Sequence, residues 1–325
     1  INTADNVIIT NFGKIRSNFN EAVNSDDDNV TINNESTGVI RTEKSRAIWL
    51  DGVGDYDITN EGDIQARTYC AICTNSGHTG NITINNSNLI HTTSANPSTG
   101  VEIFKSAIGI RSPGSGGTFT LINSGTIRSV DDNLAGVYVD DDVNATITNS
   151  GTIQGHGSRR AIHIQVTGTG TGTTINLSGE PTFTNGMELG KTKVTIVLQN
   201  DISGAFSVDI YNYDGDLEIN DDDLPANYDY RLTVEDLDSD GATDDGVLSI
   251  LEAPTLSSSS PADGATGVGV NDNIVLTFSE AVDAESGNIV IKKSSDDSIV
   301  ETIDVTGSKV SGSGSTTITI DPSST

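Results

Sequence analysis

Ile147-Thr-Asn149-Ser-Gly151-Thr-Ile153, followed shortly by Ala161-Ile162-His163-Ile164, is the stretch whose reading decides the fold. Apolar residues stand two apart, as in Ile162 and Ile164, which is strand alternation and not helical spacing. Ile, Val and Thr suit a pleated surface. Asn-Ser-Gly between two such runs is a turn signal.

The same unit recurs on both sides of this stretch. Upstream stand Ile9-Thr-Asn11-Phe-Gly13-Lys-Ile15, Ile32-Asn-Asn34 with Gly38 and Ile40, and Ile58-Thr-Asn60-Glu-Gly62-Asp-Ile64. Ile84-Asn-Asn86-Ser-Asn88-Leu-Ile90 and Leu121-Ile-Asn123-Ser-Gly125-Thr-Ile127 follow, and Ile175-Asn-Leu177-Ser-Gly179 is a weaker last copy. Each leads to a short apolar run such as Ala47-Ile48-Trp49-Leu50 or Ala71-Ile72-Cys73-Thr74. The period is about 26 residues, with a longer insertion between Ile90 and Ala107, and a period of that size means a solenoid.

The turn recurs once per copy in the same sense, so hairpins cannot build it. The expected fold is all-β: a right-handed parallel β-helix over residues 1–190, with about three short strands per coil. Coils stacked at roughly 4.8 Å would give a rod on the order of 35 Å long. Asn11, Asn34, Asn60, Asn86, Asn123 and Asn149 should form a ladder at one corner, each side chain bonded to the next. Gly13, Gly62, Gly125 and Gly151 share one turn position with Asn88, which predicts a left-handed backbone there, the conformation Gly and Asn tolerate best.

These repeats resemble the β-helical stalks of bacterial autotransporter and large-adhesin passenger regions. The resemblance implies the architecture but no single activity, because such rods carry adhesins, proteases, polysaccharide lyases and spacers alike.

Residues 191–253 break the period and read as a β-rich cap or connecting region, since an uncapped coil leaves a sticky edge. Strands are expected at Lys193–Gln199, Ser207–Tyr211, Tyr230–Val234 and Val247–Leu251. Residues 254–325 form a further module. There Ser260-Pro-Ala-Asp263-Gly264-Ala-Thr-Gly267-Val-Gly-Val270 precedes Ile274-Val-Leu-Thr-Phe278-Ser-Glu280-Ala-Val282. This module resembles the bacterial Ig-like domains of S-layer and large surface proteins, which implies a β-sandwich used as a spacer or assembly unit. About five strands can be placed, near Thr255, Ile274–Phe278, Ile289–Lys292, Ile299–Val305 and Thr316–Ile320. The segment is shorter than the ~100 residues of an Ig-type sandwich. The expectation is an incomplete module, completed by further chain or by a strand from another subunit.

Net charge is −29, from 46 acidic and 17 basic residues. Such a surface repels nucleic acid and anionic lipid and favours divalent cations. No apolar run is long enough to span a bilayer. The chain does not begin with Met and shows no signal peptide, so a mature or excised part of a secreted or cell-surface protein is expected.

Asp236-Leu-Asp238-Ser-Asp240-Gly241-Ala-Thr-Asp244-Asp245-Gly246 is the best metal candidate. Carboxylates at alternate positions followed by Gly resemble the first half of an EF-hand loop, although Val247 stands where the bidentate Glu belongs and no helices flank it. Asp236, Asp238, Asp240 and Asp244 are the expected ligands, and Ca²⁺ the expected ion. An acidic turn without metal is the alternative. The runs Asp26–Asp28, Asp131–Asp132 and Asp140–Asp142 read as solvated loops.

Trp49, Cys73, Gly109, Tyr138 and His163 fall on one outward column, where an aromatic could stack on a sugar or pack under a loop. Cys70 and Cys73 lack the helix N-terminus of a redox motif and cannot complete a zinc site alone. A disulfide between them requires Cys70 at a corner, because extended chain would hold the sulfurs apart. His78, His91, His156 and His163 show no metal spacing. Gly168–Gly172 lacks the Lys of a phosphate loop.

The acids are read as lying in loops, not paired on a strand face, so no catalytic residue is assigned. The expected function is structural or adhesive: a stiff element that displays loops or assembles into a surface layer or filament. Self-association, other surface proteins and glycans are the expected partners, with nucleic acid excluded. A polysaccharide lyase or glycoside hydrolase on the β-helix, or a carbohydrate-binding module, are the rival classes.

Overall fold

The computed structural model describes residues 1–325 apart from 4–5, 26–28, 76, 94–105, 112–116, 131–134, 141–142, 158, 166–171, 191–192, 214–216 and 324–325. The acidic runs at 26–28, 131–132 and 141–142 and most of the 168–172 stretch lie outside the described residues. Every described element is a strand or turn.

Residues Ile1–Leu251 form one unit, a parallel β-solenoid of about seven turns. Among the described residues its strands make three sheets, of nine, seven and eleven strands. One coil shows the plan: Ile82–Asn86 belongs to the nine-stranded sheet, Leu89–Thr92 to the seven-stranded, and Ile108–Ile110 to the eleven-stranded. Each strand pairs in parallel with its counterparts one coil before and after. Ile84, for example, sits between Ile58 and Leu121.

Strand alternation sends every second residue inward, and the repeat places the same residue type there each time. Ile32, Ile58, Ile84, Leu121, Ile147 and Ile175 form one fully buried column. Ile40, Ile64, Ile90, Ile127 and Ile153 form a second, on the seven-stranded sheet. Stacked β-branched side chains fill the narrow core with few rotamers to lose.

At the corner between these two sheets the asparagines make a continuous ladder. Asn11 Nδ2 donates to Asn34 Oδ1 at 2.8 Å, Asn34 to Asn60 at 2.8 Å and Asn60 to Asn86 at 2.8 Å. Asn86 donates to Asn123 at 2.7 Å, and Asn123 to Asn149 at 2.7 Å. The insertion between Ile90 and Ala107 lengthens one step from 26 to 37 residues without breaking the ladder. From Asn34 to Asn149 each Nδ2 also donates to a carbonyl of its own turn, as Asn60 does to Gly62 at 3.2 Å. Above Asn149 the column becomes Leu177 and then Leu198, both buried, so the corner turns apolar.

The turn glycines correct one expectation. Gly13, Gly62, Gly125, Gly151 and Asn88 do not have positive φ, and neither does Gly38 at the same turn. Close approach of successive coils is what requires Gly. A Cβ on Gly62 would lie 2.2 Å from the Gly38 carbonyl oxygen, and one on Gly151 would lie 2.2 Å from that of Gly125. Gly13, with no coil beneath it in this chain, meets nothing within 4 Å. Asn88 uses its side chain instead, donating to the Glu61 carbonyl at 2.8 Å.

Coiling does not stop at residue 190, which moves the expected boundary. Val194–Leu198 and Leu217–Asn220 continue the nine-stranded sheet in parallel, and Phe206–Tyr211 continues the eleven-stranded one. The region that caps is smaller than 191–253. Asp245–Glu252 pairs antiparallel with Phe206–Tyr211, and Tyr228–Glu235 follows it at the sheet edge. Leu224, Tyr228, Tyr230 and Leu232 pack against the last core residues.

Glu252–Thr325 is the second unit. Leu256–Ser260, Ile274–Val282, Ser315–Ile320 and Val310–Ser311 make a four-stranded antiparallel sheet, in that spatial order, and Asn288–Lys292 pairs with Ile299–Asp304 in a second sheet. Val310–Ser311 is a strand the sequence reading did not place. Ile303, Ile318 and Ile320 are its buried centre. An apolar cleft of about 290 Å³ lies between the sheets, lined by Leu276, Phe278, Val282, Ile289, Val310 and Ile318 among others.

Candidate functional site

Two polar constellations stand out in the solenoid, one on the outer face of the eleven-stranded sheet and one in the capping loop. On the outer face Trp49, Cys73, Gly109, Tyr138 and His163 are in register, and the column continues through Glu188 to Tyr211. Trp49 is covered: the Arg46 guanidinium lies 4.0 Å above its ring and 5.3 Å from that of Tyr69, and Arg46 Nη1 is 3.2 Å from Glu21. Tyr138 is only 5% exposed and stacks on His163, with centroids 5.2 Å apart and planes 10° from parallel. The aromatic column is thus packed beneath neighbouring groups, and Gly109 interrupts it.

At its far end the column becomes ionic. His163 Nδ1 lies 2.9 Å from Glu188 Oε2, and Asn212 Nδ2 donates to Glu188 Oε1 at 3.4 Å. The Arg160 guanidinium sits 3.2 Å over the Tyr211 ring. The hydrogen bond from His163 holds the Glu188 carboxyl below its ordinary range against the opposing effect of burial, with the charges of His163, Arg160 and Arg159 assisting. Burial pushes the Tyr211 phenol up, and Arg160 works against it. Glu188 corrects the expectation that acids lie in loops: it stands on a strand face beside a histidine, as does Asp63, whose Oδ1 is 3.0 Å from His91 Nε2. Glu188 is legible in the sequence once Gly186-Met187-Glu188-Leu189 is aligned with Ala161-Ile162-His163-Ile164.

In the capping loop the carboxylates of Asp236, Asp238 and Asp245 offer oxygens within 4.8 Å of one another. Asp240 and Asp244, expected as ligands, are not in this group. Asp240 Oδ1 accepts from Ala242 N at 2.7 Å, and Asp244 contributes its carbonyl to Tyr213 N at 2.8 Å. Asp245, which was not expected, opens the strand Asp245–Glu252 and is buried. Its carboxylate accepts from Asn212 N at 2.9 Å, Leu237 N at 3.0 Å and Asp238 N at 3.1 Å, so it folds the loop by satisfying three backbone donors. Partial desolvation and the charge of Asp245 push the Asp238 carboxyl up. Asp236 Oδ2 accepts from Gly241 N at 3.2 Å, at a residue with φ of 91°.

Cys70 and Cys73 are disulfide-bonded, with Cα atoms 6.0 Å apart. Cys70 precedes the strand Ile72–Thr74 at a bend, the corner position that pairing requires. His78 is buried and shares a 2.8 Å hydrogen bond with the Gly52 carbonyl of the preceding coil. Its role is to join coils.

The second unit carries the clearest relationship to known proteins. Residues 251–325 match the bacterial Ig-like domain. Such domains are typical of surface and extracellular proteins, and the combination with a β-solenoid fits a surface or adhesive protein. No curated protein and no solved structure matches the chain. Among the described residues no helix is long and apolar enough to cross a membrane.

Proposed function

We propose that this chain is a non-catalytic, stiff element of a bacterial cell surface, which spaces or displays adhesive loops and assembles with copies of itself or with other surface proteins. The observation that carries this reading is the bacterial Ig-like domain joined to a rod whose coils are locked in register by the asparagine ladder. A buried polar ladder satisfied at every step specifies one register, which suits a load-bearing spacer. The disulfide fits an oxidising, extracellular setting. Immunogold labelling of the producing cells tests it: label on the surface or on shed filaments supports the reading, and label confined to the cytoplasm sinks it.

Ca²⁺ belongs to the same proposal, at Asp236 and Asp238 with Asp245 behind them. The cation takes several oxygen ligands, and three convergent carboxylates on a chain of net charge −29 would relieve their mutual repulsion by binding it. Melting with Ca²⁺ and with chelator, for the parent and for Asp236→Asn with Asp238→Asn, decides this. Identical midpoints in all four samples rule the ion out. Asp245 is left intact because its loss would unfold the loop.

The His163–Glu188 pair favours one second reading, a glycan-cleaving site on the strand face. Release of products from acidic or neutral polysaccharides, abolished in Glu188→Gln, would establish it in place of the non-catalytic reading.

A further inference from the structure

The outer face of the nine-stranded sheet carries two straight ranks of side chains. The first runs Thr31, Asp57, Thr83, Thr120, Thr146, Thr174 and Thr195, each in register with the next, between Ile8 at one end and Glu218 at the other. The second, two residues along each strand, runs Asn33, Thr59, Asn85, Ile122, Thr148, Asn176 and Val197. Side chains inward of both ranks are buried, whereas those in the ranks are exposed or half-exposed.

Strand preference alone does not explain this face. Thr is favoured in any sheet, yet on the seven-stranded sheet one outward rank holds Arg16, Arg41, Gln65, His91, Arg128 and Gln154, and the other sets Lys14, Val39, Asp63 and Leu89 before Thr126 and Thr152. The seven-stranded face is therefore the richer in long and charged groups, and the nine-stranded face the richer in Thr and Asn. Among the described residues Asp57 and Glu218 are the charged members of these ranks, on a chain whose net charge is −29.

The chemistry of the ranks selects a partner. β-Branched Thr has few rotamers, so hydroxyls and methyls repeat rigidly. Parallel strands set them about 4.8 Å apart along the rod and roughly 6.7 Å apart across it. These two repeats lie close to those of the oxygen atoms on a prism face of ice. Neither rank contains an aromatic residue on which a sugar ring could stack, and neither contains a cation for an anionic polymer. A hollow of about 210 Å³ where Thr59, Asn85 and Ile122 meet is large enough for several waters.

We propose that this face binds ice. Thr hydroxyls anchor a lattice of ordered water whose cages close over the methyl groups, and that layer merges with the ice surface. The inference does not rest on the surface-display reading, since it concerns one face of the rod wherever the rod is placed.

The test uses the whole chain. It is expected to partition into ice grown slowly from solution and to slow recrystallisation of a polycrystalline wafer. Thr120→Lys and Thr146→Lys should each lose both properties while melting at the parent temperature. Thr152→Lys, on the outer face of the seven-stranded sheet, should keep them. If a Lys variant misfolds, Thr120→Tyr and Thr146→Tyr replace it, because Tyr is a good strand former. Exclusion of the parent chain from ice overturns the proposal. Equal loss in Thr152→Lys also overturns it, as does retention on insoluble cellulose or chitin by a chain that ice excludes.

Discussion

The solenoid and the Ig-like unit are both all-β, but they bury their side chains in different ways. In the solenoid each inward position repeats at every coil, so Ile84 has Ile58 beneath it and Leu121 above, and all three are fully buried. In the Ig-like unit only Ile303, Ile318 and Ile320 among the described apolar residues are buried, and Ile318 still keeps 7% exposure, while Leu276, Phe278 and Ile289 remain partly exposed around a cleft. Stacking makes a core from neighbours one coil apart. A sandwich needs two sheets to close on each other, and here the smaller sheet has only two strands to cover four.

The largest effect expected from this contrast comes from truncating one core residue in each unit. Ile84→Ala should cost about 2–5 kcal/mol, since close-packed neighbours in adjacent coils cannot collapse into the space. Ile289→Ala should cost about 1–2 kcal/mol, because a half-buried side chain beside an existing cleft has less to lose. Denaturant unfolding followed by Trp49 fluorescence for the solenoid, and by amide exchange for the Ig-like unit, measures both. Equal losses would mean that the two cores do not differ in packing.

A smaller effect separates two glycines at the same turn position. Gly62→Ala drives a methyl into the Gly38 carbonyl and should destabilise by about 1–3 kcal/mol, as overpacking does. Gly13→Ala meets open space and should be neutral or slightly stabilising. If both variants melt alike, close approach is not why the turn carries Gly.

The architecture was legible because its determinants are periodic. One motif, read in phase, places the Ile columns and the Asn corner without knowledge of long-range pairing. The role of glycine was misread because two causes, left-handed backbone and close approach, leave the same residue in the sequence. Only the distance from Gly62 to the coil below tells them apart. The capping loop was half legible: the alternating Asp run marks it, but that Asp245 and not Asp244 turns inward depends on where the strand to Glu252 begins. Glu188 was hidden because its coil has lost Asn and most of the motif. The outward ranks are not legible in the apolar periodicity, which fixes the buried residues and leaves those between them free to vary.

The ladder itself should respond by position. Asn86→Ala removes one acceptor from the Asn60 amide, which still donates to the Gly62 carbonyl, and takes the Asn86 donor away from the Asn123 side-chain carbonyl inside the corner; it should cost about 1–3 kcal/mol. Asn149→Ala, at the end where Leu177 takes over, removes one acceptor from Asn123, whose amide still donates to the Gly125 carbonyl at 3.2 Å. Its cost should be nearer 1 kcal/mol. The ratio of the two, read from melting midpoints, reports how far the ladder acts as a unit; a larger loss at Asn149 would break that picture.

The smallest effect is electrostatic and again divides the two units. Glu188 is held below its ordinary pKa by His163 in a partly buried site, so its ionised form favours the folded state. That contribution is present above the unfolded carboxyl pKa of about 4.3 and is lost as pH falls through the lower folded value. Solvent screening keeps it to about 1 kcal/mol or less. In the Ig-like unit Asp304 is also held low, by hydrogen bonds from Thr306 Oγ1 at 2.7 Å and N at 2.9 Å, but it stands in water. Glu188→Gln should therefore lower the solenoid midpoint at pH 7, and the gap from the parent should close as the pH approaches 3. Asp304→Asn should shift the Ig-like transition less. A Glu188→Gln gap that stays constant from pH 7 to 3 would mean that the carboxylate charge does not contribute, and that only the shape of the His163 contact matters.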